Sequence, residues 1–237
     1  MPGCLQKPDV AAARDAASRS PFVMTTEQIE TLEENGWLVV DGVLTCEQVQ
    51  SARREADELE FFRTGQHGDA VRTDEVRWIR DDDARSGHGG LPPGLAVAAG
   101  RLRGMASQLN GFRGFRCRGF AQVSLGVPRA LQLSRYPPHD GVSAALYRPH
   151  LDGYTYKPWS LKALAHRLKH PGQSAVAARQ MTAILYLQDP GAFDVAKDEG
   201  GELVLHLTEP VRVSPICGRL VLFDSKSGLS PLSAQFR

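Results

Sequence analysis

Gly218-Arg219-Leu220-Val221-Leu222-Phe223 is the stretch on which the fold turns. Four consecutive apolar residues stand between a Gly-Arg start and Asp224, a run that reads as a buried strand. Moving outward toward the N-terminus, the same texture recurs in Glu202 to Leu207, Met181 to Leu187, Leu131 to Tyr136 and Phe120 to Leu125. Gly, Pro and Asp separate these runs. Short, turn-punctuated strands of this kind suit a sandwich or a jelly roll.

Before Gly111 the pattern is different. Thr25 followed by Gln28 has the form of a capping box, and Ile29 and Leu32 continue it as a short amphipathic helix stopped by Asn35-Gly36. Trp37-Leu38-Val39-Val40 reads as a buried strand ending at Asp41-Gly42. A second capping box, Thr45 with Gln48, opens a helix through about Leu59. Residues 81–93 are rich in Asp, Gly and Pro and read as a loop. Leu95, Val97, Leu102, Met105 and Leu109 predict a third helix. The expected architecture is α+β, with helices first and strands second in one unit.

Composition narrows the partners. At 237 residues and 42% hydrophobic content, the chain can bury one sizeable core. Lys plus Arg number 28 against 27 Asp plus Glu, so the net charge of +1 points to neither a nucleic acid nor an anionic membrane. No apolar run approaches the roughly 18 residues of a membrane helix. Residues 1–24 read as a disordered or helical extension, and Asp9 and Asp15 argue against a transit peptide. Cys4, Cys46, Cys117 and Cys217 are scattered without a CxxC pair and read as free or buried thiols in a reducing compartment, cytosol or nucleus by default. Residues 157–180 form a basic insertion read as a solvated surface helix, with a lid or an acidic-substrate contact as the alternative.

The chemistry-bearing triplet is His150-Leu151-Asp152. On a strand, residues two apart share a face, so His150 and Asp152 can converge on one cation. Imidazole with carboxylate suits non-haem Fe(II), which takes two His and one carboxylate and leaves positions open. Taken alone, such a triplet is equally a surface His beside an Asp that caps a turn.

The surrounding motifs resemble the prolyl 4-hydroxylase branch of the 2-oxoglutarate/Fe(II) dioxygenases, including the hypoxia-type prolyl hydroxylases. The resemblance rests on Leu131-Gln132-Leu133-Ser134-Arg135-Tyr136-Pro137-Pro138, the triplet, Arg179 to Gln188, Glu199-Gly200-Gly201-Glu202-Leu203-Val204-Leu205 and the stretch quoted first. Trp37 to Asp41 and Arg72 to Trp78 are similar to the family's helical preamble. The likeness spans roughly Thr25 to Ser227. It implies a helical preamble with one or two strands over 25–112 and a double-stranded β-helix, or jelly-roll, core over 113–227. It further implies Fe(II), 2-oxoglutarate and ascorbate as cofactors, and hydroxylation of a prolyl or similar residue of a peptide or protein. His150 and Asp152 match the first two iron ligands, while Tyr136, Tyr186 and Thr182 match the cosubstrate pocket. Thr182 shares a face with Tyr186 only if their strand is regular. Each tyrosine is otherwise an ordinary core aromatic.

One part of the pattern is missing. The family continues with a third ligand in an H-x-V segment and then a basic residue that grips 2-oxoglutarate, yet the matching positions here read Gly228-Leu229-Ser230. The tail, 228–237, resembles nothing in the family. The expectation is a core with incomplete C-terminal strands, lacking the third iron ligand and the carboxylate-binding Arg, and catalytically impaired. A truncated isoform or an inactive jelly-roll binding module is the alternative reading, with a jelly-roll metalloprotein of another chemistry as a third. His206, in a strand, reads as structural rather than as a relocated ligand. His166 and His170, four apart, read as solvated.

Overall fold

A computed structural model describes residues 22–63, 74–80, 90–112, 125–128, 130–136, 147–150, 168, 180–191, 201–225 and 234–236. Both predicted capping boxes form. In α1 (Thr26–Asn35) and α2 (Cys46–Asp57) the N-cap threonine oxygen accepts the N–H three residues on, and that residue's Gln side chain accepts the threonine N–H. Gly36, at φ 77°, ends α1 by returning its N–H to the Leu32 carbonyl, a left-handed cap that glycine adopts without a Cβ penalty.

The third helix, α3 (Pro93–Gly111), starts two residues earlier than its apolar periodicity indicates and has no side-chain cap of its own. Glu55 of α2 supplies one instead. Its two carboxylate oxygens accept the Gly94 and Leu95 N–H groups at 2.9 and 2.8 Å, placing negative charge at the helix's positive end. The approach demands glycine at 94, because a Cβ there would meet the Ala52 N–H and the Ser51 backbone. Leu95 and Ala98 pack with Val49, Ala52 and Ala56 across this junction.

The strands are β1 (Trp37–Val40), β2 (Phe62–Arg63), β3 (Glu75–Arg80), β4 (Ala130–Arg135), β5 (Tyr147–His150), β6 (Met181–Leu185), β7 (Leu203–Leu205), β8 (Val211–Val213), β9 (Leu220–Asp224) and β10 (Ala234–Phe236). They form three sheets, in the orders β1-β9-β6, β5-β10-β7-β8 and β2-β3-β4. All described pairings are antiparallel.

Strand β9 is the centre of the molecule and is buried along its whole length. Leu220 and Leu222 face α1 and α3 together with Leu38 and Val40, whereas Val221 and Phe223 face β7 and β8 through Leu203, Leu205 and Val213. Cross-strand pairs keep the two faces separate: Leu38 lies opposite Leu222, and Val39 opposite Val221. A helical layer, the β1-β9-β6 sheet and the β7-β8 region therefore stack in that order, which is why β9 is apolar on both faces.

The mixed helix-and-strand class agrees with the sequence reading, and residues 25–112 hold three strands, β1, β2 and β3, among their helices. Residues 75–80, placed by resemblance in the helical preamble, form β3 and pair with β4 from Glu75↔Arg135 to Arg80↔Ala130. Val76 and Ile79 of this strand are buried. Trp37–Val40 forms the strand expected of it and pairs with β9. The strand expected over Phe120 to Leu125 falls on residues outside the described set except Leu125, which is not in a strand. Of 157–179 only Leu168 is described; it is helical and exposed. His166, His170, Cys4 and Cys117 lie outside the described residues.

Among the described residues, β4 pairs only with β3, and β6 only with β9. Yet Leu133 of β4 and Leu185 of β6 both pack on the α2–α3 cluster. The two sheets thus lie over the same helices without joining. No helix among the described residues is long and apolar enough to cross a membrane.

Candidate cosubstrate pocket and metal site

Strand β6 carries Thr182, with Tyr186 just beyond its end, the first of the candidate pocket residues. Thr182 lies opposite Phe223 and Ile184 opposite Val221, so the even-numbered side chains face β7 and β8, and Met181 and Leu185 face the helices. The ladder continues past the strand, since the Tyr186 N–H donates to the Arg219 carbonyl at 2.9 Å. Tyr186 packs with Ile184 on the Leu203–Phe223 cluster. The strand is regular, so Thr182 and Tyr186 share the interior face.

The two side chains differ in how they are satisfied. Thr182 Oγ1 and Ser225 Oγ are 2.7 Å apart. The Tyr186 hydroxyl is buried and has no hydrogen-bond partner among the described residues. Burial pushes its pKa upward; the Arg219 charge opposes that shift and the Glu202 charge adds to it. A buried phenol without a partner costs about 1–3 kcal/mol, which sets it apart from a core tyrosine that has found its bond.

Arg219 is fixed beside it. Nε and Nη2 donate to the two carboxylate oxygens of Asp41 at 2.6 and 3.0 Å, and Nη1 donates to the Ser214 carbonyl at 3.1 Å. The bidentate bond holds the Asp41 carboxyl below the usual carboxylate range and raises Arg219. With its fork occupied, Arg219 serves as scaffold, joining the end of β1 to the start of β9.

His150 is the last residue of β5 and lies opposite Ala234 of β10. Asp152 falls outside the described residues. Tyr136 directly follows β4 in the β2-β3-β4 sheet and is half-buried. Thr182 and Tyr186 are therefore brought together on one face, with His150 on a strand of the β5-β10-β7-β8 sheet. His206 follows β7; its Nε2 is buried without a hydrogen-bond partner among the described residues. Among the described residues no three His, Cys, Asp or Glu side chains gather.

Sequence reasoning missed β10. Residues 234–236 insert between β5 and β7, pairing Ala234 with both His150 and Leu205. Nothing in Ala-Gln-Phe announces a strand, because three residues carry too little periodicity.

A family model, that of the 2OG-Fe(II) oxygenase superfamily, matches residues 131–232. The match runs past Ser227, where the motif-by-motif likeness stops. A Pseudomonas putida prolyl-4-hydroxylase structure is similar over 89% of this chain and 90% of its own, at 21% identity and a TM-score of 0.58. A Trichoplax adhaerens prolyl hydroxylase, in complex with a hypoxia inducible factor oxygen degradation domain peptide fragment, is similar over 98% and 88%, at 17% identity and a TM-score of 0.61. Prolyl 4-hydroxylase from Phytophthora capsici is similar over 90% of this chain and 57% of its own, at 19% identity and a TM-score of 0.54. No curated protein matches the chain. Residues 131–232 thus resemble the 2OG-Fe(II) oxygenase superfamily, and the family model covers somewhat less than half of the chain. The fold is similar to that of the prolyl hydroxylase structures.

Proposed function

We propose that this protein is a 2-oxoglutarate- and Fe(II)-dependent dioxygenase of the prolyl-hydroxylase type, acting on a prolyl or similar residue of a peptide or protein. The observation that carries the reading is the Tyr186 hydroxyl, buried without a hydrogen-bond partner among the described residues, on the interior face it shares with Thr182. A carboxylate of 2-oxoglutarate is the acceptor that such a donor lacks, and Tyr136, at the end of β4, is the second phenol assigned to this pocket. The peptide bound by the Trichoplax adhaerens relative supports a peptide as the class of substrate.

The donor set fits iron in part. His150 and Asp152 would hold it, an imidazole and a carboxylate being suited to Fe(II). No side chain from Lys226 to Arg237 is a His, Asp or Glu. Iron with 2-oxoglutarate supplies oxidative decarboxylation coupled to hydroxylation, and ascorbate keeps the metal reduced. The protein's own contribution is to orient the cosubstrate through Tyr186 and Thr182 and to exclude water behind Leu203, Leu205 and Phe223.

With Gly228-Leu229-Ser230 at the positions matching the family's third ligand, a two-ligand site is expected to bind iron weakly and hydroxylate poorly. The same lack of a third ligand favours a second reading, a binding module that holds a peptide without oxidising it. Anaerobic calorimetry of the full chain, with Fe(II) and then 2-oxoglutarate, followed by succinate measurement in air with ascorbate, tests both. Weak, iron-dependent 2-oxoglutarate binding with little succinate is expected. Micromolar binding with succinate release would overturn the impairment, and absence of any 2-oxoglutarate binding would overturn the pocket.

A further inference from the structure

Cys46 and Cys217 are 171 residues apart in sequence, yet their sulfurs lie 3.7 Å from each other. Both are free thiols, Cys46 exposed and Cys217 half-buried. We propose that they form a peroxide-responsive dithiol that closes to a reversible intramolecular disulfide.

The backbone on both sides imposes the approach. Cys46 is the first residue of α2, immediately after the Thr45 cap. Just upstream, the Val43 and Leu44 N–H groups both donate to the Gly218 carbonyl, at 3.0 and 3.4 Å. Gly218, next to Cys217, has φ 72° and packs against the Leu44 carbonyl so closely that no Cβ fits. Its N–H donates to the Tyr186 carbonyl at 3.1 Å. About two helical turns further on, Arg53 donates to the Leu187 carbonyl at 3.4 Å and faces Asp189 at 3.7 Å. The start of α2 and the turn before β9 are thus held together independently of the sulfurs. A bond needs sulfurs about 2.05 Å apart, so side-chain rotation within a fixed frame remains.

The two thiols are not equivalent. Burial, the Cys46 thiol and the Asp189 charge push Cys217 up to about 11, so it stays protonated at neutral pH and donates to the Cys46 sulfur. Cys46 is exposed to an oxidant at the opening of α2. The Cys46 sulfur displaces one oxygen of hydrogen peroxide, forming an S–O bond as the O–O bond breaks and releasing water with the thiol proton. The Cys217 sulfur then attacks the Cys46 sulfur. An S–S bond forms, the S–O bond breaks, and the hydroxyl leaves with the Cys217 proton as a second water. Both sulfurs are oxidised by one equivalent of peroxide, and an external dithiol reverses the reaction.

This assignment is independent of iron and 2-oxoglutarate binding. The full chain is treated with increasing hydrogen peroxide, alkylated and mapped by mass spectrometry, with dithiothreitol reversal. The expected result is parallel loss of the Cys46 and Cys217 thiols, a linked peptide pair containing both, and full recovery on reduction. In Cys217→Ser, Cys46 is expected to accumulate as a sulfenic acid trapped by dimedone; in Cys46→Ser, Cys217 is expected to stay reduced. Thiols lost independently in the unmutated chain, or linkage to Cys4, Cys117 or a second chain, would overturn the proposal. Oxidation of Cys217 in Cys46→Ser at the parent rate would overturn the order of attack.

Discussion

Replacing Tyr186 by Phe removes one oxygen and little else, which makes it a sensitive probe of the pocket. That oxygen is buried and has no hydrogen-bond partner among the described residues, so in the ligand-free chain it opposes folding. An unsatisfied buried polar group costs about 1–3 kcal/mol, and the ring itself packs on Ile184 and the Leu203–Phe223 cluster, where Phe is equally at home. Tyr186→Phe is therefore expected to raise the unfolding free energy of the ligand-free protein by about 1 kcal/mol or more. In the presence of 2-oxoglutarate the sign reverses for binding. Losing a hydrogen bond to a carboxylate, worth about 1.5–3 kcal/mol, should weaken affinity roughly ten- to hundredfold. Urea unfolding monitored by circular dichroism reads the first change as a higher midpoint at unchanged slope, and calorimetry reads the second. A variant less stable than its parent would show that the hydroxyl is already satisfied in the folded chain. A variant that binds 2-oxoglutarate as tightly as the parent would remove Tyr186 from the pocket. Gain of stability together with loss of ligand is the signature of a donor held unsatisfied for a ligand.

Two further changes test the frame around this pocket. Gly218→Ala places a side chain at φ 72° against the Leu44 carbonyl. A loss of more than about 2 kcal/mol is expected in urea unfolding, summing left-handed strain and a steric shift, and a loss below about 0.5 kcal/mol would mean that the turn relaxes freely. Asp41→Asn breaks the bidentate bond to Arg219, which depresses the Asp41 carboxyl. A carboxyl depressed in the folded state contributes stability above its unfolded pKa of about 3.9 and loses it as pH falls through the folded value. Because the Asp41 side chain is 64% exposed, the loss in Asp41→Asn at neutral pH should stay below about 1 kcal/mol. Thermal melts of parent and variant should converge at acid pH, and a difference that persists there would assign the effect to packing instead.

Much of the local architecture was legible. Thr25 with Gln28 and Thr45 with Gln48 fix two helix starts through bonds spanning three residues, and the Leu220–Phe223 run is a strand wherever it is placed. The order of motifs from Leu131 onward was sufficient to suggest the oxygenase family. What was not legible concerns elements too short to carry a period, such as β8 and β10, and a helix capped from outside. The α3 N-terminus offers no capping residue because Glu55 of another helix provides it. Strand β3 was assigned to the helical preamble, since Glu-Val-Arg-Trp-Ile-Arg alternates imperfectly, with Trp78 half-exposed.

The sequence by itself determined the helix caps, the apolar runs and the residues offered for chemistry, because those depend on neighbours within one turn or one strand. Tertiary structure alone decided that Trp37–Val40 would lie against β9, that residues 234–236 would enter beside His150, and that Cys46 would meet Cys217. Each joins segments from opposite parts of the chain. The free energy of such contacts comes from burying two distant apolar faces at once, as β9 does, and no local pattern encodes which distant partner supplies the second face. The same placement left the Tyr186 hydroxyl buried with no hydrogen-bond partner among the described residues.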